Sequence, residues 1–333
     1  MGAGLKAPGA TPLKKSYGDR EPVFELAGVV AELAAVRQEW RTRQHRSNEP
    51  GGRELPSRDA LAEVIEGLKG ALFPMRLGPK DLRQEGEDFY IGHTLGLVLH
   101  TLHAQVRLEL RHIARHEALI DEAALSAQAV SIVREFAATL PSIRRLLDSD
   151  VVAAFDGDPA ARSVDEVLLC YPGVLAMIHH RVAHVLYRLN VPLLARIVAE
   201  LAHAQTGIDV HPGATIGAGL FIDHGTGVVI GETAVIGERV RIYQAVTLGA
   251  KSFPTDADGN PIKGQPRHPI VEDDVVIYAG ATVLGRVTIG RGASIGGNVW
   301  LTHDVAPGTA ITQASFRQDH KSQDSRPALT QSL

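Results

Sequence analysis

Three short clusters in the C-terminal third of the chain hold the residue types suited to acid–base chemistry. They are Asp209-Val210-His211-Pro212, Asp223-His224-Gly225-Thr226-Gly227 and Arg267-His268-Pro269. A carboxylate that accepts an imidazole N–H fixes the ring's tautomer and raises its basicity. A pairing of Asp209 with His224 would suit removal of a proton from a substrate hydroxyl, a poor nucleophile until deprotonated. Arg267 beside His268 suits a substrate carboxylate, which the guanidinium grips through its two-pronged fork. Asp223, and Asp158 in the segment Phe155-Asp156-Gly157-Asp158-Pro159, suit an ammonium group. Carboxylate and ammonium partners together point to an amino-acid substrate.

The frame that must carry these groups is written in a six-residue step. Val210, Ile216, Ile222, Val228, Ala234, Val240 and Val246 keep it, and it resumes at Val271, Ile277, Val283, Ile289, Ile295 and Leu301. Neither a helix nor a half-buried strand has that basic unit. Hexapeptide repeats form parallel β-helices whose turns stack aliphatic residues. One turn of such a prism uses about eighteen residues. Asp209 and His224, fifteen apart, fall on successive turns, a spacing that permits a meeting at a corner without requiring it. The bulky frame also slips by two after His224, continuing at Ile230, Ile236, Ile242 and Leu248. Residues 250–267 (AKSFPTDADGNPIKGQPR) interrupt the lattice and read as a projecting loop.

Upstream, apolar residues recur at three- and four-residue spacing, as along Leu95, Leu97, Val98, Leu102, Val106 and Leu110. Helices are expected over 22–43, 126–140 and 164–189, with Pro141, Pro159 and Pro192 at boundaries. The fold class is α+β: a tail over 1–20, a helical domain over 21–205, a parallel β-helix over 206–312 and a polar tail over 313–333. A turn-rich linker is expected over 48–58. The 34 Lys and Arg against 38 Asp and Glu leave a net charge of −4 and no basic stripe, so no nucleic-acid partner is expected. No secretory signal or membrane-spanning run is evident, and a cytoplasmic setting is the simplest reading. The single cysteine, Cys170, is expected in the core from its neighbours Leu168, Leu169 and Tyr171.

The ordered set Asp-x-His-Pro, Asp-His-Gly-Thr-Gly, Gly-Glu-Thr-Ala-Val-Ile, Val-Thr-Leu-Gly and Arg-His-Pro closely resembles bacterial serine O-acetyltransferases, as do Asp158-Pro159 and the segment Ile178 to His184. The resemblance covers roughly residues 145–310. It implies a left-handed β-helix behind a helical domain, and acetyl transfer from acetyl-CoA to the L-serine hydroxyl. The product, O-acetyl-L-serine, feeds cysteine synthesis. Carried over, His224 is the general base and Asp209 its partner. Asp158 and Asp223 bind the ammonium, and Arg267 and His268 the carboxylate. Glu232 falls near the site without an assigned role. Gly249, Ala279, Gly280 and Gly297 match the stretch along which acetyl-CoA, a co-substrate and not a resident cofactor, lies between subunits. A homotrimer or a dimer of trimers follows.

The chain departs from the family at Thr309-Ala310-Ile311-Thr312-Gln313, where Ala-Gly-Val-Pro-Ala is common, and in the length of the 250–267 loop. Its terminal Leu333 replaces the isoleucine through which relatives dock into cysteine synthase, so that complex is not expected. Competing readings are a γ-type carbonic anhydrase, a hexapeptide acyltransferase for sugars or amines, and a non-catalytic scaffold. The first lacks its histidine pair, since the coil histidines stand at 211, 224, 268 and 303. No metal site is expected. His112 and His116 have metal-pair spacing, but no Glu completes the zinc-protease pattern. His179, His180 and His184 read as packing residues, and His211 as orienting the first coil.

Overall fold

The computed structural model describes residues 26–44, 55–114, 121–252, 255–260 and 262–313. The expected tail over 1–20, positions 22–25 of the first predicted helix, most of the predicted linker, His116 and the polar tail beyond 313 lie outside those residues. The chain divides into two compact units, 1–53 and 54–333. The first holds α1 (Ala27–Arg43), none of whose residues is buried. In the second, α2 (Arg58–Leu72), α3 (Pro74–Leu77), α4 (Glu87–Ala114), α5 (Glu122–Gly157), α6 (Val164–Cys170), α7 (Pro172–Arg188) and α8 (Pro192–Thr206) share one apolar core with the strands. Helices α2–α8 belong with the β-helix to the second unit.

Tertiary packing overrides two boundary expectations. Helix α5 runs straight through Pro141, which is exposed. The missing N–H and the ring of a mid-helix proline cost about 3 kcal/mol, and buried Leu140, Ile143 and Leu147 on the opposite side offset it. The helix expected over 164–189 instead breaks at Tyr171, which is extended ahead of Pro172, the first residue of α7. On α4, Val98, Leu102, Val106 and Leu110 are buried as the spacing predicts, but Leu97 is exposed. Cys170 is exposed rather than in the core, because α6 is a two-turn surface helix that buries only Val167.

After α8 the chain coils into a prism of three parallel sheets. The first contains β1 (Asp209–Val210), β4 (Val229–Ile230), β7 (Thr247–Gly249), β10 (Thr282–Leu284) and β13 (Trp300–Leu301). The second contains β2 (Thr215–Ile216), β5 (Val235–Ile236), β8 (Ile270–Val271) and β11 (Thr288–Ile289). The third contains β3 (Phe221–Ile222), β6 (Arg241–Ile242), β9 (Val276–Ile277), β12 (Ser294–Ile295) and β14 (Ala310–Ile311). Register pairs like with like: Val210 beside Ile230, Ile230 beside Leu248, Leu248 beside Val283, Val283 beside Leu301. Every residue of the six-residue step is buried. The loop leaves after β7 and returns before β8, where its interruption of the lattice predicts.

Strand β2 ends its sheet, so no strand lies below it to pair with its outer edge. The buried Arg181 of α7 donates there to the carbonyls of Ile216 (2.5 Å) and Gly217 (2.6 Å). It also pairs with the buried Asp150 of α5 at 3.0 Å, and Asp150 accepts the Leu220 N–H at 2.9 Å. Burial pushes the Asp150 carboxyl up, and Arg181 with the Leu220 and Gly219 amides pulls it back. Removing one partner of such a pair strands a buried charge. Arg181→Met is expected to lower unfolding free energy by about 3–5 kcal/mol in urea titration; a loss under about 1 kcal/mol would show that the pair does not hold the first coil.

Candidate active site

The predicted site residues separate onto two corners of the prism, at opposite edges of the first sheet. The corner that enters this sheet, between β3 and β4, carries Asp223 and His224. It is two residues longer than the regular step: Ile222 to Ile230 spans eight positions where Val210 to Ile216, Ile230 to Ile236 and Ile236 to Ile242 each span six. The extra backbone is accommodated by left-handed residues, His224 (φ 60°), Gly225 (φ 81°) and Gly227 (φ 79°). Arg239, Ala245, Asp274 and Asn298 take the same left-handed backbone at other corners, so the added length and not the φ value sets this corner apart. The frame slip in the sequence is this enlarged corner, and it projects the His224 ring outward with 71% of the side chain exposed.

Asp158 reaches the same corner from the end of α5. Its Oδ1 accepts the Ala160 N–H at 2.8 Å and its Oδ2 accepts the Tyr171 hydroxyl at 2.5 Å. The Tyr171 bond, then the Ala160 bond, lower its pKa; reciprocally, Tyr171 is pushed up to about 12. The break before Pro172 is what brings Tyr171 here, and Gly173 lets α7 rest on β3, since a Cβ there would meet the Ile222 carbonyl oxygen at 2.3 Å. Asp223, almost buried, pairs with Arg241 at 2.9 Å and lies 3.8 Å from His224 Nε2. Asp158, Asp223 and His224 are thus brought together. Arg241 and Tyr171 are site residues that sequence reasoning missed; the charge at an outward strand position and Pro172 were the available signals.

The corners stack through backbone bonds: Gly227 N–H to Gly207 in the coil below His224 and, above it, Ala245 to Thr226, Gly280 to Gln244, and Asn298 to Ala279. Ala279, Gly280 and Gly297 lie in this column, three coil steps spanning roughly 14 Å at the spacing of paired strands. A Cβ on Gly280 would meet Asn298 Oδ1 at 2.2 Å. Gly249, at the end of β7, lies instead at the far edge of the sheet.

The far corner, which leaves the first sheet, holds Arg267 and His268. Arg267 pairs with Glu232 at 2.6 Å, and Glu232 also accepts the Tyr187 hydroxyl of α7 at 2.9 Å. Burial pushes the Glu232 carboxyl up, but Arg267 and Tyr187 outweigh it and leave its pKa lowered. The Thr233 N–H donates to His268 Nδ1 at 3.0 Å, so the ring's proton sits on Nε2. The Thr233 hydroxyl, 2.9 Å from Nδ1, accepts the backbone N–H groups of Arg267 and His268. Gly231 leaves room for the ring, as a Cβ there would lie 2.0 Å from it. His268 thereby presents an N–H donor beside Arg267. His211 packs edge-on against Tyr187 and accepts the Gly213 N–H.

Asp209 stands at the head of β1, within the first sheet. Among the described residues no hydrogen bond joins it to His224. Gly207, left-handed at the end of α8, turns the chain back so that Asp209 lies by Glu200 and His203, one ligand-type atom of each within 4.8 Å of the others. His179, His180 and His184 lie in α7 within the junction of helices and coil, His184 bonded to the Pro212 carbonyl oxygen at 2.9 Å.

A family model described as "Bacterial transferase hexapeptide (six repeats)" matches residues 268–303. A plasmid-encoded serine acetyltransferase of Synechococcus elongatus is 58% identical over 268 residues, 80% of this chain and 84% of that protein. The chain belongs to the serine acetyltransferase family. The Bacillus subtilis serine acetyltransferase is 44% identical over 190 residues, 54% of this chain and 83% of that protein. The crystal structure of Entamoeba histolytica serine acetyltransferase 1 in complex with L-cysteine matches with a TM-score of 0.65 and 36% identity, over 75% of this chain and 86% of that chain. The prism is the left-handed β-helix of this family.

Burial, and next the Arg267 charge, lower the pKa of His268 to about 4. An unfolded histidine titrates near 6.5, so between these values the unfolded chain binds more protons. This contribution to stability is complete above about pH 6.5 and is lost as pH falls towards 4. Ring ¹⁵N shifts should report His268 neutral at pH 5.5; a midpoint near 6.5 would refute the buried, Nε2-protonated assignment.

Proposed function

We propose that the protein transfers the acetyl group of acetyl-CoA to the hydroxyl of L-serine, giving O-acetyl-L-serine and CoA, the first step of cysteine biosynthesis from serine. The observation that carries this reading is the convergence of Asp158, from the helical region, with Asp223 and His224 beneath a column of small residues. His224 takes the hydroxyl proton as the serine oxygen attacks the thioester carbonyl. The tetrahedral adduct then collapses, the carbon–sulfur bond breaks, and the protonated imidazole returns its proton to the departing thiolate. Asp209 is assigned as the partner of the His224 ring. Asp158 and Asp223 take the ammonium, Arg267 and His268 the carboxylate. Ala279, Gly280 and Gly297 line the acetyl-CoA channel, and Gly249 contacts it from the opposite edge. Holding both reactants makes the attack effectively intramolecular.

The two halves of the proposed serine site occupy opposite edges of one sheet, and His224 is exposed. A homo-oligomer with neighbouring prisms side by side would join the ammonium half of one copy to the carboxylate half of the next. Sedimentation under assay conditions should give three or six copies; a fully active monomer would exclude the shared site. No described helix is long and apolar enough to cross a membrane.

Thiol release from acetyl-CoA should require L-serine, with L-homoserine, a hexose or no acceptor giving little. His224→Ala should lower the serine-dependent rate by about 10²-fold or more, the expected loss for a missing general base. Serine-dependent release that survives this change would remove His224 from its role. No serine-dependent release by the unaltered protein would overturn the proposed reaction.

A further inference from the structure

Arg241 is the first residue of β6, outward-facing beside the buried Ile242 and in register with Phe221 of β3. Its guanidinium lies over the rings of Phe221, at 4.8 Å, and Tyr243, at 4.7 Å. One terminal nitrogen donates to Asp223 Oδ2 at 2.9 Å, and the other to the Gly157 carbonyl oxygen at 2.7 Å. Gly157 immediately precedes Asp158. The fork therefore bridges the two chain segments that supply the carboxylates of the ammonium subsite, one ending α5 and one opening the enlarged corner. Its Nε is buried and has no partner. An orphaned donor is a cost, while both terminal nitrogens of the fork are bonded.

We propose that Arg241 is the positioning residue of the ammonium subsite, holding Asp223 and the Asp158 segment at a fixed separation so that together they receive the serine ammonium. The proposal rests on the serine reading above. Two carboxylates converging on one pocket repel each other, and a cation between their segments offsets that repulsion. With Arg241 in place the three groups carry a net charge of −1, the complement of a single ammonium. Asp223 Oδ1 is left to face His224 and the ligand, while Tyr171 and the Ala160 amide orient Asp158 independently. Planarity matters here, because one ammonium on a flexible stem cannot serve both acceptors as the guanidinium fork does.

Two effects of removing Arg241 oppose each other. Loss of its charge would strengthen attraction of the pocket for a cation, while loss of its bonds would let the two segments part. Position wins in this account, because the ligand must meet both carboxylates at hydrogen-bond distance. The test measures KM for serine, KM for acetyl-CoA, kcat and melting temperature in the full-length protein, in Arg241→Met and in Arg241→Lys. Methionine keeps apolar cover over Phe221 but neither bond; lysine keeps the charge and reaches one acceptor. The serine KM should rise about tenfold or more in the methionine variant, as for loss of charge-assisted bonds, and less in the lysine variant. KM for acetyl-CoA and kcat should stay within about threefold. An unchanged or lowered serine KM would overturn the proposal, the lowered value meaning that the guanidinium competes with the ammonium for Asp223. Parallel loss of both KM values, kcat and melting temperature would overturn it in favour of a structural role. Absence of serine-dependent turnover in the unaltered protein would instead sink the serine reading, and this proposal with it.

Discussion

The lower edge of the β-helix depends on one buried ion pair. A coil lends its outward backbone groups to the next coil, but the first coil has no neighbour below it. Arg181 and Asp150 fill that role with side-chain atoms, satisfying the carbonyls of Ile216 and Gly217 and the amide of Leu220. The charges are affordable at that depth because each is met by the other and by backbone dipoles. The same two helices lead directly to the site. Asp150 lies two turns before Gly157 and Asp158 on α5, and Arg181 lies on the helix that begins just after Tyr171. Clamping α5 and α7 to the first coil therefore also brings Asp158 and Tyr171 to the corner of Asp223 and His224.

That corner is one of the irregularities of the lattice; the long loop and the four-residue step from Leu301 to Val305 are others. Six-residue corners also hold left-handed non-glycine residues, Arg239, Ala245, Asp274 and Asn298, but only the His224 corner is lengthened by two. The lengthened corner contains Gly225 and Gly227, both at positive φ, and carries the His224 ring outward. The loop does the equivalent at the other edge, where it returns through Arg267 and His268, pinned by Thr233, Glu232 and the Arg286 contact to the His268 carbonyl oxygen at 3.0 Å. Between these edges run the paired parallel strands of the first sheet.

The electrostatics of the two edges are complementary. One gathers carboxylates around Arg241, the other gathers a guanidinium and a neutral histidine donor around Glu232. Asp223 is paired with Arg241 at 2.9 Å and Arg267 with Glu232 at 2.6 Å, which aims these side chains before any ligand arrives. Such preorganisation lowers the ordering cost of binding and leaves more of the contact energy for affinity.

The sequence by itself determined the β-helix, the position of its loop, the frame slip at His224 and the family, because a period of six has few structural solutions and the motif residues break it visibly. It also marked Asp158, Asp223, His224, Arg267 and His268. It missed Arg241, Tyr171 and the Arg181–Asp150 pair, misjudged Pro141 and Cys170, and placed the helix break at Tyr171 inside a helix. Those features rest on contacts between segments tens of residues apart, such as Gly157 with Arg241 and Asp150 with Arg181, and no local pattern encodes them. The separation of the site residues onto two corners was likewise decided only by the tertiary structure, because linear spacing states how many coils apart two residues lie but not which edge of a three-sided prism each one faces.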